Sequence, residues 1–288
     1  MKKLLFILYL LIPVISVAQN TEHYKIYDVK QQKIITLNEL ASGLSGIDVL
    51  FFGEEHNDSI GHQLELNLFK AMHSNYPKVA LTTEMFHTDV QLVLNEYLKG
   101  YISEKNFIKD ARAWNNYKDY KPLIEYARAN DLNVVAGNAA TRYSNLVTKS
   151  GLSGLDALPK TSKRLLPPLP IDTATGNYYN KFIETLGGHN MGGMKIYQTQ
   201  NLWDATMAWS IATYMKANKG SKILQLNGRF HSDEKLGTYQ QLKTMAPKLK
   251  TANLSCFSAA DFKDPKWEGY KHLGDYVIIT DPGIKRTF

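Results

Sequence analysis

The sequence predicts an α/β protein with a mostly parallel central sheet, flanking helices and a helical or loop insertion that caps the carboxyl edge of the strands. Two observations carry this. Short apolar runs at Val49–Phe52, Val79–Leu81, Val134–Val135 and Ile223–Leu226 each stop at polar or ionisable residues, and such runs read as strands buried on both faces. Segments with helical spacing separate them, the alternation of a parallel sheet with crossover helices. Open sheets of this kind bind ligands beyond the carboxyl ends of their strands. The four run ends are therefore expected to meet on one edge and to form the site.

Taken in order, the chain opens with Lys2 and Lys3, an apolar run from Leu4 to Val17 and the small-residue pattern Ser16-Val17-Ala18. This reads as a secretory signal peptide over 1–18, too short for a spanning helix, and it predicts export to the periplasm or cell envelope. No cysteine stands near the cleavage point, so a lipoprotein anchor is not expected. The rest, 19–288, reads as one domain. Tyr24–Val29 and Lys33–Ile35 predict a hairpin, and Thr36 with Glu39 a capping box that opens a short helix. After the strand Asp48–Phe52, Ile60, Leu64, Leu68 and Met72 mark a helix from Asp58 to Ser74, with Asn57 or Asp58 as its cap. A strand over Val79–Glu84 follows, then helices over Asp89–Leu98, Glu104–Ala111 and Asp119–Ala129, with Pro122 in the first turn of the last. The strand Asn133–Gly137 leads into a helix over Ala139–Lys149.

The rhythm breaks at Gly151. Residues 151–194 are rich in glycine and proline and carry one expected helix, Thr173–Leu186, a segment too long for a plain connection. The longest helix, Met194–Ala217, comes next, then the strand Lys222–Leu226 with the His231 loop, and closing strands over Leu254–Phe257 and Tyr276–Thr280. The lone Cys256 cannot form an internal disulfide and reads as a core thiol. Net charge is +7, falling to +5 once Lys2 and Lys3 leave. That excess is dispersed, without aromatic interleaving or a nucleic-acid motif, so no nucleic-acid partner is expected.

The strand ends would deliver Glu54, Glu55, His56, Glu84, His87, Asn138, Arg142 and His231. Two imidazoles and a carboxylate are a sensible set for a divalent metal such as zinc or manganese, which makes His56, Glu84 and His231 the candidate ligands. Glu54 or Glu55 could then serve as general base, and Arg142 could hold an anionic substrate group. His62 could face either the site or solvent. The same chemistry describes a metal-dependent hydrolase acting on a peptide, amide or ester bond. The insertion points to a second ligand class. Tyr178, Tyr179, Phe182, Met191 and Met194, with His189 beside the methionines, could line a slot for a flat apolar cofactor, since tyrosine, histidine and methionine all serve as axial ligands to haem iron; the plainer reading is that they pack the insertion onto the sheet.

Gly53-Glu54-Glu55-His56, His62-Gln63, Thr83-Glu84-Met85-Phe86, Trp114 with Tyr120-Lys121-Pro122-Leu123, Asn138 with Arg142, Gln200 to Ala208 and Asn227-Gly228-Arg229-Phe230-His231 stand here in one order. In that order the set resembles the ChaN family of haem-binding uptake proteins, in the superfamily that also holds Tiki proteases and erythromycin esterases. The resemblance runs from about Leu50 to Gly237. It implies an exported α/β protein of iron or haem acquisition, a homodimer holding a stacked pair of haems, and an outer-membrane uptake receptor as partner. It also implies a tyrosine as iron ligand, for which Tyr117, Tyr120, Tyr178 and Tyr179 are the candidates.

Overall fold

The computed structural model describes residues 22–187 and 195–288; the expected signal segment, His189, Met191 and Met194 lie outside them. Eight strands form one sheet: β1 (Tyr24–Asp28), β2 (Lys33–Ile35), β3 (Val49–Glu54), β4 (Val79–His87), β5 (Asn133–Asn138), β6 (Lys222–Gly228), β7 (Thr251–Ser258) and β8 (Tyr276–Thr280). Their spatial order is β2-β1-β8-β7-β3-β6-β4-β5. β1 pairs antiparallel with β2 and β8, while every pairing from β8 to β5 is parallel. β3 and β6 therefore lie side by side at the centre, with β4 next to β6.

Burial on both faces explains the unbroken apolar runs. Along β3, Leu50 and Phe52 join the core on one face, with Leu64 and Leu68 of helix α2 (Ser59–Asn75) and Leu123 and Ile124 of α5 (Tyr117–Ala129). Val49 and Phe51 point the other way, into a core with Ala208 and Ile211 of α9 (Ile196–Ala217) and Leu242 of α10 (Gly237–Met245). Alternating side chains thus meet helices on opposite sides, as the pleat requires.

The helix signals operate as expected. Thr36 and Glu39 make a reciprocal capping box at the start of α1 (Leu37–Gly43). Asp58 caps α2 by accepting the backbone N–H groups of Ile60 and Gly61. The helices α3 (Gln91–Leu98), α4 (Glu104–Asp110) and α6 (Thr141–Ser150) fall where helical spacing places them. The insertion contributes the single turn α7 (Lys160–Lys163) and α8 (Asn177–Thr185), shorter than the expected helix over Thr173–Leu186. The helix α10 had no counterpart in the sequence reading: it opens on Gly237 at φ +52° and carries few apolar residues. β4 and β6 each run past their expected ends, Glu84 and Leu226, to His87 and Gly228.

Candidate functional site

The carboxyl ends of β3, β4 and β6 converge where two glycines let backbones close up. A Cβ on Gly53 would sit 2.9 Å from the Cα of Arg229, and one on Gly228 would sit 2.8 Å from Nε2 of His56 and 3.7 Å from Oε2 of Glu84. Only a hydrogen fits at either position. After Gly228 a 3-10 turn, Arg229–His231, swings the His231 ring back over the strand end, where its Nε2 lies 3.5 Å from Oε1 of Glu84. His56, Glu84 and His231, carried by three separate segments, thus share one neighbourhood.

Each imidazole is oriented through Nδ1 by a buried carboxylate. His56 Nδ1 lies 2.8 Å from Oε1 of Glu54, and His231 Nδ1 lies 2.7 Å from Oδ1 of Asp204, from the middle of α9. Asp204 also accepts from the hydroxyls of Tyr178 at 2.5 Å and Thr238 at 2.8 Å. Glu84 accepts the backbone N–H of Gly228 at 2.8 Å. With both Nδ1 atoms so engaged, the two Nε2 atoms are left beside Glu84. That is the usual outer-shell pattern of a metal-bound histidine, so the donor set could hold a divalent metal; it equally suits proton transfer.

The electrostatics divide the two rings. Burial opposes charge on His231, but the carboxylates of Glu84 and Asp204 outweigh it and push its pKa up to about 10. Burial likewise opposes charge on Glu84, yet His231 and His56 pull it down to about 2. This is a buried ion pair at neutral pH. His56 is also raised, its burial offset by the Glu54 hydrogen bond and the Glu84 charge. Its side chain is 37% exposed against 7% for His231, which makes it the imidazole that a solvent-borne substrate can reach.

The remaining expected residues separate. Glu55 faces away from Glu54, as adjacent residues at a strand end do; it pairs with Arg286 and accepts from the backbone N–H and hydroxyl of Ser258. A general base so held by a guanidinium is poorly placed, and Glu55 does not join the cluster. Arg142 pairs with Asp89, which Arg112 also meets at 2.6 Å, so its guanidinium is already engaged on a half-exposed surface. Asn138 turns its side-chain oxygen to the backbone N–H of Ala139. His87 is half-buried, and burial lowers its pKa.

The four tyrosines also differ. Tyr117 is buried against Phe86 and Phe107, and Tyr120 gives its hydroxyl proton to Glu54 at 2.7 Å. Tyr178 is buried on Asp204, whereas Tyr179, its neighbour on α8, is 45% exposed and packs edge-on against Tyr197. Asp204 and Gln200 stand in the motif set without a role assigned by the sequence, and Thr238 and Glu65 are not singled out by it at all. One signal was present for Asp204: it is the single acidic residue in the 22 positions of α9, set among Leu202, Trp203, Ala205 and Met207, and a carboxylate buried among such neighbours has to find a partner. His62 faces inward. Its Nδ1 lies 3.3 Å from both Glu54 and Glu65, which are themselves buried.

The family model described as "Haem-binding uptake, Tiki superfamily, ChaN" matches residues 40–242. Among solved structures, one of cofacial haem binding to ChaN of Campylobacter jejuni has a TM-score of 0.68 at 17% identity, covering 90% of this chain and 98% of that one. A type III effector, HopBA1, has a TM-score of 0.47 at 13% identity over 85% of this chain and 92% of its own. An erythromycin esterase in its open conformation has a TM-score of 0.49 at 12% identity over 91% of this chain and 84% of its own. No curated protein sequence matches the chain significantly.

Proposed function

The chain belongs to the ChaN family of haem-binding uptake proteins in the Tiki superfamily, and from that premise we propose that it is an exported haem- or iron-binding protein of haem or iron acquisition. The observation that supports this most directly is the state of the tyrosines. Haem iron accepts a tyrosine oxygen as axial ligand, which requires a phenol free to approach it. Tyr120 and Tyr178 already donate to carboxylates, and Tyr117 is enclosed in an aromatic core. Tyr179 alone of the four presents an open ring, on the helix of the capping insertion. Tyr179 is thus our iron ligand, and haem here is cargo. Two such subunits facing each other would enclose a stacked pair of haems, an uptake receptor being the expected recipient.

The experiment uses chain recovered after export, whose intact mass should begin at Gln19. Titration with haem should shift the Soret band saturably and raise the apparent mass to that of a dimer. Tyr179→Phe should weaken haem affinity by about tenfold or more, a loss of at least roughly 1.4 kcal/mol, with an unchanged unfolding midpoint because the residue is 45% exposed. Equal affinity in Tyr179→Phe would remove that tyrosine from the proposal; no saturable shift in the parent protein would remove haem.

A second reading, a hydrolase of peptide, amide or ester bonds, is favoured by the paired imidazoles beside Glu84. Held as a cation near neutral pH, His231 would donate a proton or stabilise negative charge, while the more accessible His56 would act as base. If this is right, His56→Ala abolishes turnover of an activated ester or amide. Turnover that survives in that variant excludes His56 as the base.

A further inference from the structure

A second cluster lies behind the first, on the α2 and α5 side of the sheet. Glu54, His62 and Glu65 each offer a ligand atom, and these atoms all lie within 4.8 Å of one another. All three side chains are more than nine-tenths buried, and Glu65 is wholly so. His62 Nδ1 is 3.3 Å from Oε2 of Glu54 and 3.3 Å from Oε2 of Glu65. Oε2 of Glu54 and Oε1 of Glu65 have no hydrogen-bond partner.

The surroundings explain why these groups face one another. Oε1 of Glu54 is already taken by Tyr120 and His56, so Oε2 is the oxygen left to turn inward. His62 Nε2 lies 3.2 Å from the backbone carbonyl oxygen of His56. A carbonyl only accepts, so that nitrogen carries a hydrogen. In the neutral ring Nδ1 is then a lone pair, and with both carboxylates ionised the three facing groups hold no donor among them, so a shared proton or a metal ion has to lie between them. A buried acceptor left unmet costs about 1–3 kcal/mol, more when charged; three together call for a cation.

We propose that Glu54, His62 and Glu65 form a buried site for a divalent first-row transition metal of the zinc or manganese class. Four-coordinate zinc binds nitrogen and oxygen ligands at about 2.0–2.1 Å, which sets adjacent tetrahedral donors about 3.3–3.4 Å apart. Both imidazole–carboxylate separations here are 3.3 Å. The donor mix, one imidazole and two carboxylates, suits borderline and harder divalent ions rather than thiophilic ones. His62 Nε2 donating to a backbone carbonyl is the outer-shell contact that orients a metal-bound histidine. The ion would also fix the Glu54 carboxylate, whose other oxygen orients His56. This site is distinct from the set His56, Glu84 and His231, and it does not depend on haem binding.

The test is a titration of chelator-treated, haem-free protein with Co²⁺, followed by d–d absorption, and with Zn²⁺, followed by thermal unfolding. One equivalent should bind, giving tetrahedral cobalt bands and a raised melting temperature. Glu65→Gln keeps the shape and removes one ligand charge. It should weaken binding by more than the roughly 10–100-fold that an outer-shell change costs, while its circular dichroism shows a folded protein. His231→Ala should keep the binding. Loss of binding in His231→Ala with retention in Glu65→Gln would overturn the proposal by placing the metal in the other cluster. Absence of a one-equivalent site in the parent protein would overturn it too, and leave a shared proton as the occupant.

Discussion

Replacing Asp204 with alanine is expected to destabilise the protein by about 3–5 kcal/mol, the cost of removing one partner from a buried charged pair. Three donors lose their acceptor at once: His231 at 2.7 Å, the Tyr178 hydroxyl at 2.5 Å and the Thr238 hydroxyl at 2.8 Å. All three residues are buried, so water cannot readily replace the carboxylate. His231 would keep one carboxylate partner, Glu84, at 3.5 Å, which limits the loss to less than the sum of its parts. Asp204→Asn, which keeps an acceptor without charge, should fall between parent and alanine variant. Urea unfolding with an unchanged slope checks this. A loss below about 1 kcal/mol, the net worth of one ordinary hydrogen bond, would mean that His231 is not held as a cation.

The second large effect is a dependence of stability on pH. For His231 the folded pKa of about 10 exceeds the ordinary value of 6.5. Its contribution is therefore fully present below about 6.5 and is lost as pH rises through about 10. Glu84 runs the other way, with a folded value of about 2 against 4.5; its contribution is present above about 4.5 and is lost as pH falls through about 2. The pair thus contributes most between about pH 4.5 and 6.5. On the alkaline limb the folded state retains a proton that the unfolded chain releases, so stability should fall by up to about 1.4 kcal/mol per pH unit from this residue. The measurement is urea unfolding of metal-free protein at several pH values, parent against His231→Gln. Parallel pH profiles for the two proteins would sink the assignment.

How much of this could be read beforehand follows from which forces are local. The central strands were legible because burial on both faces demands consecutive apolar residues, and Val49–Phe52 and Ile223–Leu226 have little else. The capping signals of Thr36, Glu39 and Asp58 were legible because their partners lie two or three residues away. The helix α10 was not, since Leu242 and the half-buried Tyr239 carry its core contact and its first residue is a glycine. Glu55 shows what the pleat decides: Glu54 turns inward beside Tyr120, and its neighbour turns out, here to Arg286. Tyr120 and Tyr178 are candidates for an iron ligand by the family resemblance, and neither that nor residue type reveals that each hydroxyl already serves a carboxylate.

From the order of its residues alone, this chain specified an α/β sheet, the strands that make it, and the edge to which His56, Glu84 and His231 are carried. Those features rest on periodicity and burial, which act along the chain and leave a mark in it. Which carboxylate serves His231, and which phenol serves Glu54, was decided only in three dimensions: Asp204 lies 27 residues from His231, and Glu54 lies 66 from Tyr120. The same holds for the pocket of acceptors at Glu54, His62 and Glu65, assembled from a strand end and a helix face. A buried charge takes its partner from whatever packing brings within about 3 Å, and packing is settled by the whole fold.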